Sequence, residues 1–500
     1  MALVVGVDLG TQSCKAVLCD ERMTVLADHQ EPVGTDHPHP GWAEQDIAQW
    51  DEAWRVAVAN VVSTALDRRH EIKALAFAGQ LDGCVPVDQR GTPIGPALIW
   101  QDRRAVAEAK LVDAARVHSI TGQVADPSHM APKIRWLRDH GMRAARWHQP
   151  VTYLVERATG AYVIDHAHAS TTMLYDLAAQ RWSPGLLAAF GISPDELPAI
   201  RAATEIAGPL RGDVAGLAAG IPVAVGTGDD FATPLGAGIG QPGSIICALG
   251  TAEVVGALAT APILDTPAAR AAHDPWRALA EPMVETHAYP TGDYFIENPG
   301  WLSGGAIRWA TRMLGLSSDA ELDALAATAP PGADGLTFVP ALAGAMTPAW
   351  RPRARGAFHG LTASHDRPHL ARAVLEGLAF ACRDVIERLA ALGIAARPGA
   401  TPSPGAPAAA VHVLGGGSRS TIWTQLRADI LGLPHHVAAR TDTCAVGAAM
   451  LAAVAAGLVP DLTAACALAP PPARTVHPGP PLDEPYARYR ALAAHLLDYE

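Results

Sequence analysis

What this chain lacks narrows its function before any motif is read. It has no excess of basic residues. With a formal net charge of −12, a nucleic-acid backbone or an anionic membrane surface would meet like charge, so neither is an expected partner. No uncharged apolar stretch approaches the roughly 20 residues that a membrane-spanning helix needs. No basic segment opens the chain and its first apolar run is broken by Asp8, so a secretion signal is not expected. The seven cysteines include no Cys-x-x-Cys pair. Scattered thiols of odd number fit a reduced, cytoplasmic protein. His37, His39, His166, His168, His435 and His436 stand in no His-Glu-x-x-His or cysteine-paired spacing, which leaves them as surface or loop residues rather than a zinc centre. With 49% apolar and 18% charged residues over 500 positions, the chain is globular and long enough for two or more domains.

What is present is an alternation of short apolar runs and helical patterns. Residues 74–78 and 223–225 read as strands, and 47–66 and 104–117 as helices. The second half repeats the style, with strands at 337–339 and 411–414, a long helix over 370–391 and a terminal helix over 486–499. Such alternation predicts an α/β fold. A Pro- and Gly-rich stretch at 236–243 places the boundary between lobes 1–240 and 241–500. A second such stretch, 396–410, reads as a surface loop.

Several segments carry chemistry. Val4-Val5-Gly6-Val7-Asp8-Leu9-Gly10-Thr11-Gln12-Ser13-Cys14-Lys15 runs a core strand into a carboxylate and a glycine-hydroxyl turn. Asp8 stands where a carboxylate can hold hydrated magnesium, and Thr11, Gln12 and Lys15 can donate to phosphate oxygens. Alone, it reads equally as a hairpin with solvated polar residues. A second apolar strand ends in Leu249-Gly250-Thr251, and two such hairpins in one chain suggest two lobes clasping a polyphosphate. Gly226-Thr227-Gly228-Asp229-Asp230 follows a strand. There Asp229 could take the proton of an attacking hydroxyl, or simply cap a helix. Leu414-Gly415-Gly416-Gly417-Ser418-Arg419-Ser420 opens a helix without the spacing of a Rossmann or Walker loop. Flat backbone for an adenosine and a plain capping turn are its two readings. Gln80, Leu81 and Asp82, and Trp100, Asp102 and Arg104, end two strands with groups suited to a polyhydroxylated substrate.

With these residues assembled, the chain resembles the FGGY carbohydrate kinases, most closely their xylulokinase-like branch, from Val4 to about Gly457. Gly356-Ala357-Phe358-His359-Gly360-Leu361, then His369-Leu370 and Ala373-Val374-Leu375-Glu376, satisfies the family's C-terminal signature. Ser128-His129-Met130-Ala131-Pro132-Lys133-Ile134-Arg135-Trp136-Leu137 is similar to its other signature, departing at Met130. His39-Pro40-Gly41-Trp42-Ala43-Glu44-Gln45-Asp46 is similar to the segment after the first hairpin. The resemblance implies two ribonuclease-H-like lobes of the actin-like ATPase fold around a central cleft. The N-terminal lobe would bind sugar and phosphates, and the C-terminal lobe adenosine. It further implies ATP and Mg2+, with Asp8 at the metal and Thr11, Gln12 and Lys15 at the phosphates. Gly250 and Thr251 would cradle the γ-phosphate, Gly416, Gly417 and Ser420 would face adenosine, and Asp229 would be the general base. A homodimer is the common assembly of the family.

The departures bear on the substrate. Xylulokinases usually carry Gly-Gln-Met-His-Gly where this chain has Gly79-Gln80-Leu81-Asp82-Gly83, and Asn where it has Asp230. The usual Gly-Glu-Arg run has become Gly344-Ala345-Met346, and Phe295-Ile296-Glu297-Asn298-Pro299-Gly300-Trp301 has no counterpart that can be placed. Asp82 and Asp230 predict an acidic sugar pocket that favours neutral ketoses and polyols over sugar acids. The expected reaction is phosphorylation of a sugar hydroxyl, such as D-xylulose to D-xylulose 5-phosphate. Ribulose and glycerol- or tetritol-type polyols are alternative substrates. A non-enzymatic, actin-like nucleotide-dependent binding module is the reading from another class.

Overall fold

The computed structural model describes residues 2–264, 284–298, 301–345, 351, 353–395 and 410–497. The stretch 396–410 lies outside them except for Ala410, as do Pro299, Gly300, Met346 and the last residues of the terminal helix. Two sheets of the same topology organise the rest. In the first, Leu3–Leu9, Ser13–Asp20 and Val25–Pro32 form an antiparallel meander. Ile72–Gly79 then joins parallel to the first strand, followed outward by Pro222–Ala224 and Ile206–Pro209. In the second, Ile245–Leu249, Glu253–Ala259 and Tyr294–Asn298 form the meander, with Glu285–Ala288 outside it. Val411–Leu414, His435–Val437 and Arg474–Val476 complete the other side. The central strands are buried at all but one position each and rich in Val and Ile, as strands covered on both faces must be. The first meander is followed by the amphipathic helix Ile47–Ser63; the second is followed by Gly304–Met313 and Asp319–Ala326 and then the long helix Arg367–Ala391.

One helix of each lobe lies between the sheets. Phe231 of Asp229–Gly236 packs its ring 6.3 Å from that of Phe295 in the second sheet. Cys444–Ala455 crosses to the first sheet, where Gly6 admits it: a Cβ on Gly6 would stand 2.0 Å from the Ala445 carbonyl. The two helices meet glycine to backbone. A Cβ on Gly236 would lie 1.9 Å from Thr443 O, and one on Gly447 would lie 2.0 Å from Ala232 O. Alanine normally gains up to about 1 kcal/mol over glycine in a helix interior. At Gly447 the backbone collision outweighs that gain. Gly447→Ala is therefore expected to lose about 1–3 kcal/mol, as overpacked cores do. Thermal unfolding checks this, and a raised midpoint would show that the crossing has slack.

One expected element is corrected. Residues 104–117 do not form a helix. Glu108–Lys110 is a short 3-10 turn, and the helix starts at Ala114, where the Asp113 side chain accepts from Arg116 N. The apolar spacing upstream lost to a tertiary anchor, because Arg104 is tied to Asp102 and Glu44. The strand at 337–339 forms, but in a two-stranded ribbon with Ala357–His359 outside the main sheets.

Candidate active site

The cleft between the sheets collects the tips of both first hairpins and the first turns of both crossing helices. Asp8 sits one residue from the end of Leu3–Leu9, directly across the ladder from Lys15. Burial pushes its carboxyl up to about 6, against a hydrogen bond from Cys444 and the charge of Lys15. One of its oxygens, Oδ1, is buried with no hydrogen-bond partner. A buried carboxylate oxygen left without a partner in the cleft fits a hydrated divalent cation.

Asp229 is the first residue of its helix, and Oδ1 accepts from Asp230 N at 3.1 Å. The preceding turn is fixed from two sides. Gly226 has φ +79°, and a Cβ there would stand 2.2 Å from Phe77 O. Thr227 Oγ1 donates to buried Asp165 Oδ2 at 2.8 Å. Burial holds the Asp229 carboxyl well above the ordinary range, and the neighbouring Asp230 and Asp8 push the same way. Burial also raises Asp230 to about 7, with Glu297 and Asp82 adding and His287 opposing. A carboxylate whose proton affinity is raised towards neutrality, in a cleft, suits a general base.

The residues expected to face phosphates divide by what they already hold. Thr11 Oγ1 accepts from Trp100 Nε1 at 2.8 Å, so the half-exposed indole braces the first hairpin. Gln12 is exposed at its tip. Lys15 Nζ lies 3.3 Å from Asp442, two residues before the second crossing helix. Gly250 and Thr251 are exposed, and their carbonyls accept from the first turn of Gly304–Met313. Thr251 Oγ1 accepts from Arg308 at 3.1 Å. Gly416 is open to solvent beside the cleft, whereas Gly417 and Ser420 have packing and capping roles. Trp423 and Leu249 close over Gly417, and the Ser420 hydroxyl accepts from Trp423 N at 3.0 Å.

Among the substrate candidates, Asp102 and Arg104 are corrected. Asp102 is 0% exposed. Its oxygens take the Ala43 N–H and the Arg104 guanidinium, which also reaches Glu44 at 2.7 Å and stacks 3.6 Å over Trp42. Nothing of this knot is left for a ligand, so both residues hold the Trp42 loop in place. Gln80 stays buried, donating to Gln45 and leaving Oε1 without a partner. Leu81 packs against Gly228.

Asp82 adopts φ +57° and pairs with His129 Nδ1 at 3.1 Å. Lys133 Nζ donates to Asp82 O and Ile99 O, each at 2.7 Å, and to Ser128 O. His129 stood unremarked inside a signature segment. Glu285, His287 and Glu297 were not read as site residues at all, although polar residues two apart on a buried strand share one face. Their ligating atoms lie within 4.8 Å of one another. Both ring nitrogens of His287 are engaged, by Glu297 and Gln123, so the trio reads as a hydrogen-bonded network rather than a metal cage.

The His129 pair gives a pH prediction. Burial disfavours the imidazolium, but Asp82, then Glu285 and Asp126, outweigh it and push His129 up to about 9. A folded-state value above the unfolded one stabilises fully below about pH 6.5, and that contribution is lost as pH rises through about 9. Lys133, lowered to about 8 by burial, titrates with the opposite sign. The readout is therefore the stability difference between wild type and His129→Asn. It should shrink by up to about 3 kcal/mol between pH 6.5 and 9.5. A difference that is flat with pH would contradict the pairing.

Two sheets of one topology, with hairpin tips and helix N-termini around paired carboxylates, define a phosphotransferase of the actin-like ATPase fold. Residues 3–236 match the N-terminal domain of the FGGY family of carbohydrate kinases, and residues 245–456 match its C-terminal domain. The chain belongs to that family and is a sugar kinase that uses ATP with Mg2+. It is 33% identical over 469 residues to the xylulose kinase of Escherichia coli K12, covering 91% of this chain and 90% of that one. It is 30% identical over 479 residues to a glycerol kinase of Myxococcus xanthus, covering 91% of each. The crystal structure of a xylulose kinase from Rhodospirillum rubrum superposes with a TM-score of 0.87 at 29% identity, over 99% of both chains.

Proposed function

We propose that the chain transfers the γ-phosphoryl group of ATP to a terminal hydroxyl of a neutral ketose, D-xylulose or a close relative. The carrying observation is Asp229, set at a helix N-terminus with Asp8 on one side and Asp230 on the other. Asp229 takes the hydroxyl proton as the oxygen attacks. Thr11, Gln12, Gly250 and Thr251 line the path of the phosphates, with Gly416 beside the adenosine. Magnesium, held through Asp8 when bound, offsets phosphate charge. Lobes 1–240 and 241–500 divide this work, the first holding sugar and phosphates and the second adenosine. Xylulose is favoured over glycerol, ribulose and tetritols by the xylulose kinases among the relatives. The seven buried free cysteines support a cytoplasmic setting, and a homodimer, measurable by light scattering, completes the proposal.

ADP release with a panel of neutral ketoses and polyols tests this reading. D-xylulose or another pentulose should give the highest kcat/KM, and a strong preference for glycerol would replace the proposal. Gluconate should be at least about tenfold poorer, because its carboxylate faces Asp82 and Asp230 at a cost on the order of a kcal/mol each. Equal rates for gluconate and D-xylulose would refute the acidic pocket.

A further inference from the structure

Beside Asp230 the two lobes together build a largely buried polar wall. Asp82, Gln123 and His129 come from the first lobe, and Glu285, His287 and Glu297 from two paired strands of the second. Glu285 stands directly opposite Glu297 in that ladder, an arrangement of like charges that is unfavourable unless something bridges it. Histidines bridge it. His287 Nε2 lies 2.8 Å from Glu297 and its Nδ1 lies 3.1 Å from the Gln123 amide. His129 lies 3.1 Å from Asp82 and 3.8 Å from Glu285. The wall adjoins the catalytic helix, since the ring of Phe231, next to Asp230, is 5.5 Å from that of His287.

This network is well formed yet incomplete. Glu297 is 6% exposed and its Oε2 has no hydrogen-bond partner; Gln123 is 0% exposed and its Oε1 has none. Turning the Gln123 amide over would leave its NH2 in the same position, so one polar atom is unmatched either way. Buried groups are ordinarily satisfied, and a bound molecule is one source of partners for two unmatched atoms that share one wall.

We propose that Glu297, Gln123 and His287 recognise the non-reacting end of the substrate and select a neutral hydroxylated chain whose hydroxyls complete their hydrogen bonds. The inference rests on the kinase reading above and names specificity residues for it. Asp82, Asp230, Glu285 and Glu297 outnumber His129, His287 and Lys133, so an anionic end is repelled while hydroxyl donors are matched. A site built to hydrogen-bond a hydroxyl discriminates strongly against a substrate that lacks it. Glycerol, whose hydroxyls all lie within two carbons of the attacked oxygen, leaves the wall unmatched.

The test is kcat/KM for glycerol, erythritol, D-ribulose and D-xylulose with wild type, Glu297→Gln and Gln123→Met. Wild type should prefer its best four- or five-carbon substrate over glycerol by about 100-fold or more. Each variant should lower that ratio about tenfold or more, chiefly through the KM of the longer substrate. Gln123→Met decides alone if Glu297→Gln does not fold. A ratio unchanged within about twofold, or a wild type that prefers glycerol, overturns the inference while leaving the kinase in place. No phosphorylation of any of the four by wild type removes instead the neutral-ketose reading on which the inference rests.

Discussion

Asp229→Asn is expected to lose phosphoryl transfer by about 10³–10⁴-fold in kcat while nucleotide affinity stays nearly intact. The amide keeps the shape of the carboxylate at the head of the helix but cannot take up the hydroxyl proton. Misfolding is not the expected cause of the loss. The wild-type carboxyl is held far above its ordinary range by burial and by Asp230 and Asp8, so its charge is a burden on the fold. Removing that charge should leave thermal stability equal or higher, the usual relation between an active site and the scaffold that holds it. Steady-state ADP release, ADP calorimetry and a melting curve together check this. Unchanged turnover would take Asp229 out of the mechanism.

The second large effect lies beneath the Gly250–Thr251 hairpin. Glu253, two residues after Thr251, and Arg427, in the helix that Ser420 caps, are both 0% exposed and paired, with a 3.1 Å contact from Arg427 Nη1 to Glu253 Oε2. Ser303 Oγ donates to the same oxygen at 3.0 Å, and Arg427 also touches Cys382 Sγ at 2.9 Å. One buried ion pair thus joins the Gly250–Thr251 hairpin to the helix that follows the glycine loop. Glu253→Ala strands a guanidinium in the core and is expected to cost about 3–5 kcal/mol. Glu253→Leu combined with Arg427→Met removes both charges and should recover most of that loss. Urea unfolding of the three variants measures it. A single variant within about 1 kcal/mol of wild type would mean that water reaches the pair.

The residues legible in the sequence were those whose meaning is local. Asp8 ends a β-branched run, Asp229 follows a Gly-Thr-Gly turn, and the strand at 411–414 opens into glycines, so spacing placed each at a strand end or helix start while leaving its role open. Asp102 and Arg104 show the limit of such reading. A polar pair at a strand end looks the same whether it faces a ligand or locks a loop, and only the approach of Ala43, Glu44 and Trp42 from 60 residues away decides it. The wall at Glu285, His287 and Glu297 was illegible for a related reason. Its members sit on two strands of one lobe and become a site only where the loop carrying Gln123 and His129 packs on them. The helix expected at 104–117 failed because one buried guanidinium outweighed a periodic pattern.

The most direct measurement of the central claim is phosphorus NMR of a reaction of D-xylulose with ATP and Mg2+. The account predicts one new phosphomonoester resonance of a sugar phosphate, growing in step with ADP and absent with Asp229→Asn. ADP accompanied only by inorganic phosphate, at a rate indifferent to every sugar in the panel, would contradict it.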